Sequence, residues 1–302
     1  MQVETPMLML ERFITGGGWI EIAILVAYSY FLTYKMQDKG SSAKWRLISW
    51  TVFSIFFFSQ LLLGILVSEK FLLTGKLHIP VPAMMISGPI YRGQLSIMTL
   101  LFLSTLVLSG PAWCSHLCYF GAIDGIASNK RKTQVRPIKN LFKFKGLILS
   151  TVVITTILLR IVGVSALYAT IAGILFGFFG LIILTTLSTQ KGKMMHCTLY
   201  CPIGSVVNIF KYVSPFRMYI DKDSCTLCMR CTPACKYDAL NINNIKSYKP
   251  GMSCTLCGDC LNTCKDNSIK YNFFHTKPET ARRIYLFVTI SLHAIFMAMG
   301  RI

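Results

Sequence analysis

The sequence predicts a polytopic α-helical membrane protein of about six spans, with a cysteine-rich segment inserted before the last span. Hydrophobic residues make up 53% of the 302 residues and charged residues only 14%, whereas soluble globular proteins carry about 25% charged residues. The mean hydropathy is +0.54. The twelve cysteines fall in short clusters typical of metal sites rather than of the disulfide framework of a small secreted domain.

A helix needs about 20 mainly apolar residues to cross the hydrocarbon core of a bilayer. The six segments that meet or approach this length are Trp19–Tyr34, Leu47–Val67, Gln94–Gly110, Gly146–Val164, Ser165–Leu187 and Ile284–Gly300. The apolar stretch 146–190 is too long for one crossing. We therefore place a turn at 163–165, close to Arg160, whose long side chain reaches the interface.

The distribution of basic residues predicts the orientation of the chain. The net charge is +19, and Lys and Arg concentrate in 35–46, 111–145 and 191–283. These regions all lie on one side if the first helix runs inward. We therefore expect a multi-pass protein of a prokaryotic inner membrane, with the cysteine-rich segment in the cytoplasm and both termini outside. The expected partner of the charge is membrane lipid and not nucleic acid. The proline-rich segment 68–93 is expected to lie outside, over the mouth of the bundle or as a docking surface.

Eight cysteines form a tandem pattern between Ser224 and Cys264. The two halves read SCTLCMRCTPACKYDAL and SCTLCGDCLNTCKDNSI, and each contains C-x2-C-x2-C-x3-C. In such runs three thiolates hold one cubane cluster and the fourth reaches the other. Structural zinc is the alternative, although a repeated run is far more specific than a lone C-x2-C. The pattern predicts two [4Fe–4S] clusters, the first held by Cys225, Cys228, Cys231 and Cys264, and the second by Cys254, Cys257, Cys260 and Cys235.

Over about 50 residues this segment resembles the two-cluster bacterial ferredoxins. The resemblance implies a small pseudo-twofold α+β domain. Lys236 and Lys265 follow the fourth cysteines, where the family usually has proline. That departure leaves the ligands in place and the turn beyond them undefined.

The four remaining cysteines also repeat. GPAWCSHLCYFGA and MHCTLYCPIGS share the pattern C-[ST]-x-x-C-x-x-G-[AS], and each follows a predicted span on the inner side. On a helix, a spacing of four residues puts both thiols on one face. Three interpretations stay open: a further iron–sulfur or other metal centre, a pair of redox-active dithiols, or inert buried thiols. The residues concerned are Cys114, Cys118, Cys197 and Cys201.

The combination of membrane helices, two C-x3-C pairs and a two-cluster segment resembles a family of membrane polyferredoxins over roughly residues 94–275. The family includes the ferredoxin-type quinol dehydrogenase subunit of periplasmic nitrate reductase systems, the membrane half of the nitrous-oxide reductase accessory protein, and the cytochrome oxidase assembly polyferredoxin. Cys201-Pro202 fits its C-x3-C-P motif, whereas Cys118-Tyr119 departs from it. The resulting division is a five-span bundle (1–215), a ferredoxin-like domain (216–275) and a sixth span (276–302).

Three polar residues are candidates for a quinone or proton site. Glu21 lies in the first apolar run, where charge is costly and often functional. His116 lies inside the first C-x3-C pair and His196 directly precedes the second, and either could exchange protons.

The leading functional hypothesis is a membrane-bound iron–sulfur electron-transfer subunit, in which the cofactors supply the chemistry and the protein positions them. It would work between the quinone pool or a soluble carrier and a partner reductase, with other subunits of a respiratory or redox complex, as a quinol dehydrogenase component. The alternative is a maturation factor that reduces or delivers metal, such as copper, to an oxidase or reductase. A transmembrane thiol relay is the third hypothesis.

Overall fold

The computed structural model describes residues 6–72, 79–131, 137–138 and 140–299. A bundle of helices carries a small cysteine-rich domain with a two-stranded sheet. The helices are α1 (Gly17–Gln37), α2 (Lys39–Leu66), α3 (Met84–Arg92), α4 (Ile97–Ser109), α5 (Tyr119–Asn129), α6 (Leu141–Ile161), α7 (Ala166–Ile183), α8 (Thr189–Lys191), α9 (Pro202–Phe210), α10 (Ile242–Lys246) and α11 (Pro278–Ala298), and the strands are β1 (Phe216–Ile220) and β2 (Ile269–Phe273).

Among the described residues, five helical segments are long and apolar enough to cross a membrane. They are Lys39–Leu66, Met98–Leu117, Leu141–Ile161, Ala166–Lys191 and Pro278–Ala298. Two of these segments extend beyond α4 and α7, because each of these helices is followed by a π-helical turn. Their length and composition are those of a membrane protein.

The first predicted span forms α1 but is not among these five segments. Its sequence is diluted by Glu21, Lys35 and several tyrosines. Even so, Trp19 and Tyr30 are 77% and 76% exposed, and α1 packs lengthwise on α2 and α11. The number of six spans therefore stays a prediction.

The predicted inner loop 35–46 is almost entirely helical. α1 ends at Gln37 and α2 begins at Lys39, so one residue separates them. That residue, Asp38, caps α2 by accepting hydrogen bonds from the backbone N–H groups of Gly40 and Ser41. An aspartate at the N-cap satisfies donors that the first helical turn leaves free, which explains why the chain reverses here without a longer loop.

The segment 79–92 enters the bundle instead of lying over its mouth. Met84 lies against Gly173 and Val81 against Gly177, near the middle of α7. At its other end, Tyr91 donates a hydrogen bond to the carbonyl of Val164, at the turn between α6 and α7. α3 packs on α6 and α4. Val81, Pro82 and Ala83 are buried in this packing, whereas no residue of α3 itself is buried.

The cysteine-rich domain is closed by an antiparallel β-ladder. Phe216 pairs with Phe273 and Ile220 with Ile269, so the first strand precedes the cysteine motifs and the second follows them. β2 packs on α11, where the fully buried ring of Tyr285 contacts Phe216 at 5.4 Å between ring centroids. The last helix therefore anchors the domain to the bundle.

Candidate metal centres

Two cavities in the cysteine-rich domain are each lined by four cysteines. One cavity is bordered by Cys225, Cys228, Cys231 and Cys264. The other is bordered by Cys235, Cys254, Cys257 and Cys260. The structure thus brings together the two quartets that the spacing predicts, with the fourth cysteine of each half joining the other half. A set of four thiols around one cavity suits a cubane cluster.

The loops between these cysteines use left-handed backbone at matching positions. Leu227 and Leu256, two residues after the first cysteine of each half, have φ of 54° and 58°. Met229 and Gly258, four residues after it, have φ of 59° and 79°. Left-handed φ costs an L-residue about 1–2 kcal/mol. The same left-handed positions recur in both halves, so both halves use equivalent turns to bring their thiols together.

The turns after the fourth cysteines are equivalent although both lack proline. Asp238 and Asn267, three residues beyond those cysteines, have φ of 57° and 51°, and short polar side chains tolerate this conformation. The next N–H group then points back to sulfur: that of Ala239 donates to Cys235 Sγ at 3.2 Å, and that of Ser268 to Cys264 Sγ at 3.3 Å. Such bonds to sulfur tune the potential of a bound cluster.

The first quartet lies nearer the protein surface, and the second quartet is buried. Cys228 is exposed, whereas Cys235, Cys254 and Cys260 are buried. The backbone N–H of Arg230 lowers the pKa of Cys228. Burial raises the pKa of Cys235 to about 12. Because a cluster binds thiolates, binding of a cluster to the second quartet must release protons from its thiols.

The four remaining cysteines form a third quartet inside the bundle. Cys114, Cys118, Cys197 and Cys201 are all buried, with 7–9% of their surface exposed. The Cys197 thiol lies within electrostatic range of the other three. The two C-x3-C pairs therefore meet, although 78 residues of chain (119 to 196) separate them.

The sequence repeat of these pairs is also a structural repeat. Each pair begins in a π-helical turn, Trp113–Leu117 or His196–Tyr200. The second cysteine, Cys118 or Cys201, then takes an extended conformation as the N-cap of a short helix. π-Helical turns occur frequently at functional sites.

A glycine holds the same place in both repeats. A Cβ on Gly121 would lie 3.0 Å from the carbonyl oxygen of Cys114, and a Cβ on Gly204 would lie 2.7 Å from that of Cys197. The short helix therefore crosses the π-helical turn so closely that a side chain does not fit. This contact is the physical reason for the glycine in the shared pattern.

Two buried ionisable residues beside the third quartet are not among the candidates that the sequence predicts. Asp124, on α5, accepts a hydrogen bond from the backbone N–H of Cys197 at 2.9 Å, and burial raises its pKa to about 6. Lys145, on α6, interacts electrostatically with Cys114, Cys197 and Cys201. In the sequence Lys145 ends the basic region 111–145, and nothing local distinguishes it from the other lysines there.

Direct hydrogen bonds connect the third quartet to the second. Tyr237, which borders the cavity of the second quartet, donates from its hydroxyl to the carbonyl of Cys114 at 2.7 Å. Ser115 Oγ donates to the carbonyl of Thr255 at 3.1 Å. Both bonds join a residue within one position of a third-quartet cysteine to the loops around the second quartet.

A buried ion pair fixes the same interface. Arg46, on α2, contacts both carboxylate oxygens of Asp259 at 2.8 and 2.6 Å and also donates to the carbonyl of Ser115. Bidentate pairing of this kind is geometrically specific. The ferredoxin-like domain is therefore docked on the bundle in one orientation.

The three candidate quinone or proton residues do not form one site. Glu21 accepts a hydrogen bond from the backbone of Leu10, which places it with the N-terminal segment. His116 and His196 are buried beside the third quartet, and their Nε2 atoms have no hydrogen-bond partner among the described residues. His116 contacts Ser115 Oγ through Nδ1, and His196 contacts the carbonyl of Gly180.

The spacing of the donors is compatible with a multi-iron core. Within the described ranges, no three His, Cys, Asp or Glu side chains converge closely enough to hold one metal ion. Structural zinc requires four donors about 2.0–2.3 Å from one ion. In a cubane each thiolate binds a different iron, so the four sulfurs stand farther apart and border a cavity.

The burial of the third quartet also bears on the thiol relay. A reactive relay thiol is accessible and has a low pKa. Burial raises the pKa of both Cys197 and Cys201, and all four thiols are nearly inaccessible. These surroundings favour thiols that become thiolates by binding metal.

Comparison with known protein families points to the same chemistry. Residues 94–136 and 170–218 match the family model of a 4Fe–4S binding domain, and residues 217–240 match a second model with the same description. The first model covers both C-x3-C pairs and the second covers the first half of the tandem pattern. No curated protein and no solved structure matches the chain. The matches support an iron–sulfur electron-transfer role and a polyferredoxin-like family for this chain.

Proposed function

We propose that the protein is a membrane-bound iron–sulfur electron-transfer subunit that works between the quinone pool or a soluble carrier and a partner reductase. The observation that carries the proposal is the series of three cysteine quartets, in which the inner two are joined by hydrogen bonds from Tyr237 and Ser115. This function agrees with the resemblance to quinol dehydrogenase subunits of nitrate reductase systems.

The proposal assigns a ligand set to each quartet. Two [4Fe–4S] clusters are held by the cysteines of the ferredoxin-like domain, and a further iron–sulfur centre is held by Cys114, Cys118, Cys197 and Cys201. Bound iron–sulfur clusters supply one-electron chemistry. The protein's own part is to hold the thiols, exclude water from the inner two quartets and fix their separation through Arg46 and Asp259.

The exposure of the quartets gives each end of the series a role. The first quartet lies at the surface, with Cys228 exposed, and is the end that a soluble partner can approach. The third quartet lies within the bundle and is the end that a lipid-soluble carrier can approach. Between them the second quartet is buried, which shields it from water and oxygen.

A cavity in the bundle supports the quinone link. It measures about 440 Å³ and lies between the segment 79–92, α6 and α7, which is within the usual range of about 300–1,000 Å³ for ligand sites. Tyr119, the residue after Cys118, borders it, as do Thr99, Thr155 and Arg92. The cavity therefore offers an apolar space with hydroxyl and guanidinium donors next to the third quartet. Neither His116, His196 nor Glu21 borders it.

The membrane arrangement belongs to the same proposal. We place the ferredoxin-like domain in the cytoplasm, count α1 as the first of six spans, and put both termini outside, because the basic regions then share the inner side. The protein would lie in the inner membrane of a prokaryote, where other subunits of a redox complex reach the exposed first quartet.

The test is electron exchange by the purified protein in lipid nanodiscs under anaerobic conditions. We expect the chemically reduced protein to be reoxidised by a soluble quinone analogue, followed as the return of iron–sulfur absorbance. A protein with full iron content that exchanges electrons with no quinone and no small redox protein would refute the function.

A cavity-filling variant locates the quinone reaction. Thr155→Trp fills the cavity and should slow reoxidation by quinone at least tenfold without changing the iron content. Ile154→Trp is the matched control, since Ile154 is the preceding residue of α6, is 56% exposed and does not border the cavity. Equal rates in both variants would place the quinone reaction elsewhere.

One observation favours the maturation function as the second candidate. Met84, Met85 and Met98 all border the same cavity, and thioethers are suitable ligands for Cu(I). In a strain that lacks the protein, a target oxidase or reductase without copper supports maturation. A fully metallated reductase that receives no electrons supports electron transfer.

A further inference from the structure

Lys145 is a buried cation in a helix that is otherwise mostly exposed. Lys145 is only 4% exposed, whereas its neighbours Phe144 and Gly146 are exposed. Lysine is almost never fully buried unless a partner compensates its charge, because removing an ammonium group from water is costly. The surroundings of Lys145 must therefore supply that compensation.

The hydrogen-bond partners of Lys145 are neutral. Nζ donates to the carbonyl of Gly204 at 3.4 Å. With the Asn208 amide turned so that its oxygen faces the lysine, Nζ also donates to it at 2.8 Å. The described ion pairs join Arg46 to Asp259, Lys193 to Asp238 and Lys270 to Asp221, and none includes Lys145.

Asp124 also lies beside the third quartet, but the groups that interact electrostatically with Lys145 itself are cysteines. Lys145 interacts electrostatically with Cys114, Cys201 and Cys197, which belong to the third quartet. As neutral thiols they leave the ammonium charge uncompensated. As thiolates around an iron–sulfur core they supply the missing negative charge.

The repeat shows that the lysine is not required by packing alone. Gly121 and Gly204 are equivalent, and the space beside each is filled from a neighbouring helix. Beside Gly121 that space is filled by Trp50 of α2, and beside Gly204 it is approached by Nζ of Lys145 of α6. An uncharged ring occupies one half and a cation the other, so the charge is specific to one side of the quartet.

We propose that Lys145 compensates the charge of the centre held by the third quartet and thereby raises its reduction potential. This inference rests on the proposed iron–sulfur centre. A centre with four thiolates becomes more negative when it takes up an electron, and net charge is one determinant of cluster potential. An adjacent ammonium group in a dry environment stabilises the reduced form more than the oxidised form. Lys145 is a positioning residue and not a ligand.

The experiment is an EPR-monitored redox titration of the full-length protein in nanodiscs. Lys145→Met should lower the midpoint potential of the third centre by at least about 59 mV, which corresponds to a tenfold change in the reduction equilibrium for one electron. Lys145→Arg keeps the charge and should restore the wild-type potential. Lys143→Met removes an exposed lysine two residues away on α6 and should leave the potential unchanged. The two clusters of the ferredoxin-like domain should titrate as in wild type throughout.

Lys145→Gln guards against a variant that cannot assemble the centre. Glutamine keeps a hydrogen-bond donor without the charge, so a lowered potential, or loss of the centre in both neutral variants with retention in Lys145→Arg, supports the proposal. Unchanged potential in either neutral variant overturns it while leaving the third centre intact. If wild-type protein shows only the two ferredoxin signals, the proposed third centre itself is wrong, and the inference falls with it.

Discussion

Individual residues around the third quartet are set by contacts that allow no larger or less polar side chain. The glycines of the two repeats and the pair between Arg46 and Asp259 are the clearest examples. The glycines are fixed by a steric contact and the pair by an electrostatic one. The importance of each contact can be tested by one substitution.

Gly204→Ala should weaken the third quartet. A helical glycine replaced by alanine normally gains about 0.5–1 kcal/mol, but here the added Cβ would lie 2.7 Å from the carbonyl of Cys197 and push the helix off the π-helical turn. We expect a lower melting temperature in detergent and loss of iron from the bundle.

Gly146→Ala is the control for this substitution. Gly146 also lies in a helix, and no atom lies within 4 Å of the position that its Cβ would take. It should keep its iron and melt at the same temperature or slightly higher. Equal behaviour of the two variants would contradict the steric role of Gly204.

Asp259→Asn should destabilise the docking of the ferredoxin-like domain. The side chains of Arg46 and Asp259 are only 6% and 14% exposed, and removing one partner of a buried pair typically costs about 3–5 kcal/mol because a charge is left unpaired. The measurement is the denaturant midpoint for bleaching of iron–sulfur absorbance.

Asp221→Asn provides the matched comparison. Asp221 pairs with Lys270, but these side chains are 24% and 33% exposed, and exposed pairs contribute little. Its bleaching midpoint should stay close to that of wild type. A shift as large as that of Asp259→Asn would show that docking does not depend on the buried pair.

At the scale of elements, α1 is the helix whose role the composition leaves open. It carries exposed aromatic and aliphatic side chains along its length, and Asp38 turns the chain directly into α2. If α2 crosses the membrane and the ferredoxin-like domain is cytoplasmic, the one-residue turn requires α1 to cross in the opposite direction.

Labelling of single introduced cysteines tests this crossing. Ile14→Cys, 58% exposed before α1, should react with a membrane-impermeant maleimide in intact cells. Lys44→Cys, exposed near the start of α2, should react only after permeabilisation. Reaction of both in intact cells, or of neither, would mean that α1 does not span. Wild-type protein gives the background from the native cysteines.

At the scale of the whole molecule, the number of quartets predicts the metal content. Each cubane contains four irons, so the two ferredoxin clusters account for about eight irons per chain. With a further centre in the bundle, anaerobic preparations should contain about ten to twelve irons and a similar amount of sulfide.

Removing one ligand separates the contributions. Cys197→Ala should lower the iron content to about eight and leave the EPR signals of the ferredoxin-like domain unchanged. Cys257→Ala should instead remove one of those signals. Eight irons in wild-type protein, unchanged by Cys197→Ala, would show that the third quartet holds no iron.

The two cysteine quartets of the ferredoxin-like segment could be grouped from the sequence because three members of each lie in one short, regularly spaced run. Within each half, three cysteines are separated by two residues, and the left-handed turns that make them converge involve only the residues between them. The same holds for the five long apolar helices, since a continuous apolar run shows itself without knowledge of its neighbours. The position of the one-residue turn at Asp38 was hidden, because a capped helix start and a polar loop have similar composition.

The apolar segments, the tandem cysteine pattern and the repeat of the C-x3-C pairs can be read from the sequence, because each is a periodic or closely spaced feature of the chain. The folded chain adds that these two pairs meet, that Lys145 and Asp124 lie beside them, that Tyr237 bonds to the carbonyl of Cys114 and that 79–92 packs against α7. These are contacts between residues far apart in the chain. Their geometry comes from the packing of helices, and no local pattern records which helices pack together.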